Sequence, residues 1–152
     1  MHIAKNVQTY FDGIMSLEIG EIMIKEVVKM DGNATAEEVA VIMNERGIGC
    51  VIVVQDENPI GIITERDILK RVLLESRDPK NTKAFQIMTA PLFFGDPRMS
   101  IQDAVTLMNE KKIRKLPIID EDRLVGMITL TDLARSVAYL EHIFSKAKNN
   151  AK

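Results

Sequence analysis

The chain has 152 residues, 46% of them apolar and 28% charged, a composition that excludes an intrinsically disordered protein and fits one folded module. Its formal net charge of −2 gives no electrostatic basis for binding nucleic acid, which normally requires a basic excess. Apolar runs such as 51–54 are far shorter than the roughly 20 residues of a membrane helix. Because the N-terminus also lacks the apolar core of a signal peptide, we expect a cytoplasmic protein.

The first half of the chain predicts an N-terminal helical segment and then a helix, two strands and a second helix. Apolar residues at helical spacing place the N-terminal helix within residues 1–16. Thr35, with Glu38 three positions later, has the spacing of a capping box and predicts a helix over about 36–46. β-branched runs and turn residues then predict strands at 50–54 and 60–63, followed by a helix from Glu65 to about 76.

The second half repeats this order after a polar linker at 77–84. The predicted elements are a helix that starts at Ser100, strands at 116–119 and 124–128, and a helix from about Thr131 through Ile143. We expect a flexible tail over 142–152, which is rich in Lys and Asn as far as Lys152. The halves, 17–76 and 85–141, predict an α+β fold in which helices cover sheets made mainly of hairpin strands.

An internal duplication relates the two halves with an offset of sixty-five residues. The segment Gly-Ile-Ile-Thr-Glu-Arg-Asp at 61–67 recurs as Gly-Met-Ile-Thr-Leu-Thr-Asp at 126–132. The alignment continues without a gap from residues 22 and 87 to residues 72 and 137. Since each half alone is too small for a comfortable core, we expect a single pseudo-symmetric module built from two repeats.

Each copy of the motif places a threonine and an aspartate at a helix start, Thr64 with Asp67 and Thr129 with Asp132. Such pairs can serve only as capping boxes. They also suit a nucleotide, because the helix N–H groups favour phosphate and a carboxylate accepts hydrogen bonds from a ribose diol. The glycine that precedes each threonine lets another backbone or a flat ligand approach closely. Arg66 adds a cation suited to phosphate oxygens, and the residues alone leave capping and binding open.

The pattern as a whole resembles a tandem pair of CBS domains, the regulatory module named after cystathionine β-synthase. The resemblance rests on the two Gly-x-x-Thr-x-x-Asp segments, the Leu-Pro-Ile-Ile-Asp strand at 116–120, the Ile-Met opening of each half and the element order. It covers residues from about 17 to 140. It implies two domains packed face to face around a pseudo-twofold axis, with clefts that bind adenosine ligands such as AMP, ADP, ATP, S-adenosylmethionine or NAD.

The resemblance also assigns ligand-binding residues. Asp67 and Asp132 would hold ribose hydroxyls, and Thr64 and Thr129 would contact phosphate or ribose. The remaining assignments are Thr131, Arg114 and Lys115 at phosphates, the lead-in segments 24–28 (with Val28) and 89–93 around the adenine, and Ile48, Gly49 and Cys50 as a wall of the cleft. Because Gly49 and Cys50 replace Arg114 and Lys115 in the first half, we expect the cleft with Thr129, Thr131 and Asp132 to be the tighter phosphate site. That cleft is also expected to draw on the first half's lead-in segment.

No catalytic or metal-binding constellation accompanies these residues. His2 and His142 stand at opposite ends of the chain without partners at metal-ligand spacing. Cys50 is the only cysteine and has no neighbouring histidine, so a packed thiol is the better interpretation than a nucleophile. We therefore expect neither an enzyme nor a metal protein, and no cofactor other than a regulatory nucleotide.

The sequence thus predicts a non-catalytic module that binds AMP, ADP, ATP or S-adenosylmethionine and signals occupancy to an unidentified effector protein. The resemblance further implies a homodimer, formed through the apolar faces around Leu69, Leu73, Val137 and Leu140. The alternative is a scaffold protein in which the Thr-x-x-Asp pairs only cap helices. In that case the N-terminal segment, or the basic cluster at 111–115, would recruit a protein or RNA.

Overall fold

The computed structural model describes residues 2–150, which form two compact units. The terminal unit joins residues 2–25 to residues 93–150, and the central unit comprises residues 26–92. Residue 1 of the predicted N-terminal helix, and residues 151 and 152 of the predicted tail, lie outside the described part. The segment before the first repeat therefore belongs to the same unit as the strands of the second repeat.

The order of elements agrees with the predicted repeat. In chain order the elements are α1 (His2–Met15), β1 (Lys29–Asp31), α2 (Ala36–Arg46), β2 (Cys50–Gln55), β3 (Asn58–Thr64), α3 (Glu65–Ile68), α4 (Ala84–Ile87), α5 (Ile101–Lys111), β4 (Lys115–Asp120), β5 (Arg123–Thr129) and α6 (Leu130–Asn150). A 3₁₀ turn at Ile19–Glu21 follows α1, and a π-helical turn at Leu69–Leu73 continues α3. The predicted α+β fold is confirmed.

The central unit is built on the antiparallel hairpin β2–β3, to which β1 adds a parallel edge strand. Alternate strand residues face opposite sides of this sheet, so Val51, Val53 and Ile63 join the core beneath α2. Cys50 pairs directly with Thr64, which places these two side chains together on the opposite face. The complete capping box between Thr35 and Glu38, predicted from their spacing, fixes the start of α2.

The terminal unit is built on the antiparallel hairpin β4–β5, which is covered by α5 and α6, and α1 packs against these two helices. Its core contains the strand residues Leu116, Ile118 and Ile128 together with two residues from the start of the chain, Ile14 before the first repeat and Ile19 at the beginning of it. Lys115 pairs directly with Thr129, so both side chains lie on the face opposite this core. One face of the sheet therefore packs against the core, and the other face carries polar residues at one end.

A helix stands at each end of the described part of the chain, α1 and α6. Ile14 is the anchor of α1, since it is 2% exposed, whereas Val7 and Phe11 on the same helix are exposed. The C-terminal helix α6 continues to Asn150, although the sequence predicts a flexible tail from residue 142. The difference has a simple cause: residues 142–150 contain neither Gly nor Pro, and their Ala and Lys residues favour helix.

Candidate functional site

Asp67, the aspartate of the first motif copy, is almost fully engaged within the central unit. It forms a complete capping box with Thr64: its Oδ2 accepts hydrogen bonds from the Thr64 N–H at 2.8 Å and from the Thr64 hydroxyl at 2.9 Å. Its Oδ1 accepts a hydrogen bond from the Thr89 hydroxyl at 2.9 Å and lies 3.7 Å from Nη1 of Arg71. Asp67 is only 9% exposed. In this repeat the capping role predicted for the motif is fulfilled.

Asp132, the aspartate of the second copy, is engaged through one oxygen only. Its Oδ2 accepts a hydrogen bond from the Thr129 hydroxyl at 2.6 Å, and its N–H donates to the same hydroxyl at 3.1 Å. Among the described residues no donor reaches its Oδ1. The Asp132 side chain is partly buried at the start of α6 and retains an acceptor oxygen for a further partner.

The difference between the two aspartates comes from residues outside the repeated heptapeptide. Thr89 in the central unit corresponds, at the offset of sixty-five, to Ile24 in the terminal unit, and Arg71 corresponds to Ser136. Ile24 has no side-chain donor, and the shorter Ser136 carries no charge. The resemblance placed Thr89 in a lead-in segment around the adenine and gave Arg71 no role. Comparing each residue of one repeat with the residue sixty-five positions away would have identified both Thr89 and Arg71 as differences between the copies.

Basic and hydroxyl side chains lie close to Asp132 at one end of the β4–β5 sheet. Lys115 opens β4 opposite Thr129, and the carbonyl of Arg114 accepts a hydrogen bond from the first residue of α6 at 3.0 Å. Thr131 is exposed in the first turn of α6. Within residues 2–150, neither Arg114 nor Lys115 forms an ion pair. We refer to Arg114, Lys115, Thr129, Thr131 and Asp132 as the Asp132 site.

The glycine of each motif copy is required by a methionine of this chain. A Cβ at Gly126 would lie 2.5 Å from Sδ of Met23 and 2.9 Å from the carbonyl oxygen of Ile24. A Cβ at Gly61 would likewise lie 2.6 Å from Sδ of Met88. Ile24 also exchanges two backbone hydrogen bonds with Met127, both 2.9 Å long. Of the two alternatives that the sequence left open for these glycines, the structure favours close approach by another segment of the chain.

The lead-in segment beside Gly126 contributes to the face that carries the Asp132 site. Because Ile24 pairs directly with Met127, its side chain lies on the same side of the sheet as those of Lys115 and Thr129. Ile24 is 47% exposed. The first half's lead-in segment therefore accompanies the second copy of the motif, as the sequence predicts.

The other predicted site residues belong to the central unit. Gly49 and Cys50 occupy the positions equivalent to Arg114 and Lys115: the Gly49 carbonyl accepts a hydrogen bond from Glu65 N–H at 3.2 Å, and Cys50 begins β2. Arg66 is exposed beside Asp67. Two further residues, Val28 and Ile48, pack partly buried against the core of the central unit. In the central unit, Arg66 and Arg71 thus both lie beside an aspartate that is already engaged, and Arg71 is itself paired with that carboxylate.

An ion network lies at the opposite end of β4 from the Asp132 site. Arg98 donates to Asp96 through Nε at 2.7 Å and through Nη2 at 2.6 Å, and its Nη2 also donates to Asp120 at 3.1 Å. The hydrogen bonds from the Arg98 guanidinium, followed by one from its backbone N–H, lower the pKa of Asp96 from its ordinary 3.8 to about 2. This network ties the end of β4 to the loop before α5 and has no part in the Asp132 site.

Within residues 2–150, no group of three or more His, Cys, Asp or Glu side chains is placed so that it could hold a metal ion. None of the helices in this range is both long enough and apolar enough to cross a membrane.

Comparison with known proteins decides the family. The model of the CBS domain matches residues 19–74 and 84–139. The chain belongs to the CBS domain family. The resemblance stated from the motifs is therefore confirmed, and the two CBS matches coincide with the two repeats. CBS domain pairs of this kind are generally regulatory, non-catalytic modules.

Curated relatives and solved structures give the same result. The chain is 38% identical over 127 residues to an uncharacterised protein from Methanopyrus kandleri, a match that covers 82% of this chain and 65% of that protein, just under two thirds of its length. It is 36% identical over 116 residues to the CBS domain-containing protein YhcV from Bacillus subtilis, covering 76% and 82%. The structure of a hexameric CBS-CP12 protein from bloom-forming cyanobacteria matches with a TM-score of 0.74 at 30% identity, covering 82% of this chain and 73% of that one.

Proposed function

We propose that this CBS domain pair is a regulatory module that binds an adenosine ligand, AMP, ADP or ATP foremost, through the Asp132 site. The observation that carries the proposal is the uncommitted Oδ1 of Asp132, next to cations that have no ion-pair partner among the described residues. An anionic acceptor is suited to both hydrogens of a ribose cis-diol. S-adenosylmethionine and NAD carry the same ribose and are the competing ligands.

The phosphate-binding half of the proposal rests on charge and helix geometry. α6 is 21 residues long, and its first N–H groups and dipole favour an anion near Thr131. Lys115 lies on the same face of the sheet as Thr129, and Arg114 directly precedes Lys115 in the chain. Lys115 provides a point charge and Arg114 a planar fork for phosphate oxygens. Each extra phosphate of the ligand is therefore expected to strengthen binding, in the order AMP, ADP, ATP.

Thermal denaturation with each of AMP, ADP, ATP, S-adenosylmethionine and NAD tests whether any adenosine ligand binds. A ligand present at one hundred times its dissociation constant adds about 2.7 kcal/mol to the free energy of unfolding. For a chain of this size that corresponds to a rise in Tm of roughly 5 to 10 °C. If none of the five compounds moves the midpoint, the proposed function is wrong.

A matched pair of variants tests the site itself. Asp132→Asn keeps the shape of the side chain but removes the negative acceptor, and we expect the Kd of the best ligand to rise roughly 10- to 100-fold. Asp67→Asn makes the same change in the other copy, where the carboxylate is held by Thr64, Thr89 and Arg71. It should lower the Tm but leave the Kd unchanged. The reverse pattern would contradict the assignment of the Asp132 site.

Signalling requires that the ligand bind one arrangement of the protein better than another. We propose that an effector protein reads this difference and that the regulatory unit is a homodimer. Leu73, which is 68% exposed, and Leu69, which is also exposed, lie on the π-helical turn after α3 and support an apolar interface there. Light scattering should give twice the mass of one chain, and Leu73→Asp should halve it. A mass that Leu73→Asp does not alter would exclude this interface.

The scaffold alternative is favoured by the exposed apolar side chains of α1. Val7 and Phe11 are exposed on a helix that is anchored at its other end, and the complete Thr64–Asp67 capping box shows that one motif copy does act as a cap. The scaffold reading predicts no ligand-induced change in Tm. It also predicts that Asp132→Asn lowers the free energy of unfolding only by the contribution of a helix cap, about 1 kcal/mol.

A further inference from the structure

The two motif copies differ in the partners of the aspartate carboxylate, and this difference bears on how many ligands each chain binds. Resting on the proposed function, we infer that each chain binds a single adenosine ligand, at the Asp132 site, because Thr89 and Arg71 already occupy the equivalent carboxylate of Asp67. The motif copy in the first repeat then has only a structural role, and the copy in the second repeat binds the ligand.

The acceptor positions of Asp67 are nearly all used by the chain. An ionised carboxylate has two oxygens with about four lone-pair positions. Oδ2 accepts two hydrogen bonds from Thr64, and Oδ1 accepts one from the Thr89 hydroxyl with the Arg71 guanidinium 3.7 Å away. The Thr89 hydroxyl stands where a ribose hydroxyl would have to donate, so a ligand diol would have to displace it.

Arg71 cannot readily move aside to make room for a ligand. Its Nη1 donates to the carbonyl oxygens of Ile87, at 2.9 Å, and of Met88. These carbonyls belong to the segment whose methionine covers Gly61. Releasing Arg71 would therefore loosen the packing of that segment as well as the charge balance at Asp67.

The phosphate side of the first copy is also weaker. Gly49 and Cys50 stand where the second copy has Arg114 and Lys115, so two cations are absent from the strand end beside Asp67. Arg66 takes the place of Thr131, and the second cation beside this carboxylate, Arg71, already donates to the carbonyl oxygens of Ile87 and Met88. A nucleotide would thus exchange existing hydrogen bonds for new ones at Asp67 and gain less from its phosphates than at Asp132.

The direct test is the stoichiometry of ATP and of AMP binding to the unaltered protein, measured by isothermal titration calorimetry. We expect one equivalent per chain, with the Kd raised roughly 10- to 100-fold in Asp132→Asn and unchanged in Asp67→Asn. Two equivalents per chain, of which only one is weakened in Asp132→Asn, would overturn the inference but leave the proposed function intact. The absence of any binding to the unaltered protein would instead mean that the proposed function is wrong.

A second measurement tests the role of Thr89 with adenosine, which lacks phosphate and so does not depend on the missing cations. In the Asp132→Asn background, Thr89→Val removes the donor to Oδ1, whereas the matched Thr89→Ser retains it. We expect adenosine at millimolar concentration to bind the Val variant at least tenfold more tightly than the Ser variant. If the Thr89→Val and Thr89→Ser variants bind adenosine with equal affinity, the Thr89 hydroxyl does not block binding at Asp67.

Discussion

At the scale of single residues, Gly126 has little freedom to change, because a side chain there would collide with both a methionine and a backbone carbonyl. The Met23 side chain is flexible, but the Ile24 oxygen, 2.9 Å from an added Cβ, is held by the hydrogen bond from Met127. We expect Gly126→Ala to lower the free energy of unfolding by about 1 to 3 kcal/mol, as overpacking does elsewhere. Urea denaturation measures the loss.

Gly13 provides the control for this substitution. It lies within α1, and no atom comes within 4 Å of the position that its Cβ would take. Gly13→Ala should therefore raise stability by about 0.5 to 1 kcal/mol, the usual difference between the two residues inside a helix. Equal losses at Gly13 and Gly126 would show that close packing is not the reason for the glycine in the motif.

The lowered pKa of Asp96 leads to a prediction about the stability of the protein in acid. The pKa of Asp96 is lowered in the folded state to about 2, chiefly by the hydrogen bonds from Arg98. The stabilisation from this pair is therefore present above the ordinary pKa of an aspartate and is lost as the pH falls towards about 2. We expect the urea midpoint of the unaltered protein to fall more steeply between about pH 5 and pH 2.5 than that of Asp96→Asn.

Asp56→Asn is the matched control for this pH dependence. Asp56 is an exposed turn residue, and no ion pair of its carboxylate is found in the described part of the chain. The urea midpoint of Asp56→Asn should fall with pH as steeply as that of the unaltered protein, with a constant difference between the two. Parallel curves for all three proteins would contradict a lowered pKa at Asp96.

At the scale of elements, α1 depends on its C-terminal end. Ile14 is buried in the core of the terminal unit, while Val7, two turns earlier, is 62% exposed. We expect Ile14→Ala to cost roughly 2 to 5 kcal/mol, the usual range for a large-to-small change in a core. Val7→Ala should change stability by less than about 0.5 kcal/mol. Comparable losses at both positions in urea denaturation would mean that α1 docks along its whole length.

The elements that carry local signals were predictable from the sequence. α2 begins and ends where the Thr35–Glu38 capping box and Gly47 place it, and the four hairpin strands extend at most two residues beyond their predicted ends. The parallel strand β1 and the π-helical turn after α3 were not predicted. Parallel pairing joins residues that are distant along the chain, and a π turn leaves no periodicity of its own, so neither has a local pattern.

The site was predictable only in part, for the same reason. The heptapeptide and the basic pair Arg114–Lys115 identify the end of the sheet where the candidate site lies. Whether each aspartate is free depends on Thr89, twenty-two positions beyond Asp67, and on its counterpart Ile24, far upstream of Asp132. Only the fold brings these residues together, because each lead-in segment pairs with a strand of the other repeat: Ile24 pairs with Met127, and Thr89 pairs with Ile62.

At the scale of the whole molecule, the terminal unit is discontinuous in sequence and the central unit is continuous. We expect a fragment of residues 26–92 to show a cooperative urea transition, because its sheet and core lie within that range. A fragment of residues 93–152 lacks Ile14 and Ile19 and should show none until a peptide of residues 1–25 is added. Cooperative unfolding of 93–152 alone, followed by circular dichroism, would contradict this dependence.

The discontinuity also determines the order in which the protein can fold as it is synthesised. Residues 1–25 leave the ribosome before residues 26–152, yet their partners, among them Leu116, Ile128 and Leu133, come more than ninety residues later. At typical rates of synthesis, residues 26–133 take on the order of ten seconds to appear. During that interval the central unit can complete its core, whereas Ile14 and Ile19 have nothing to pack against. Ile14 and Ile19 therefore remain exposed on the nascent chain until the strands of the terminal unit have been synthesised.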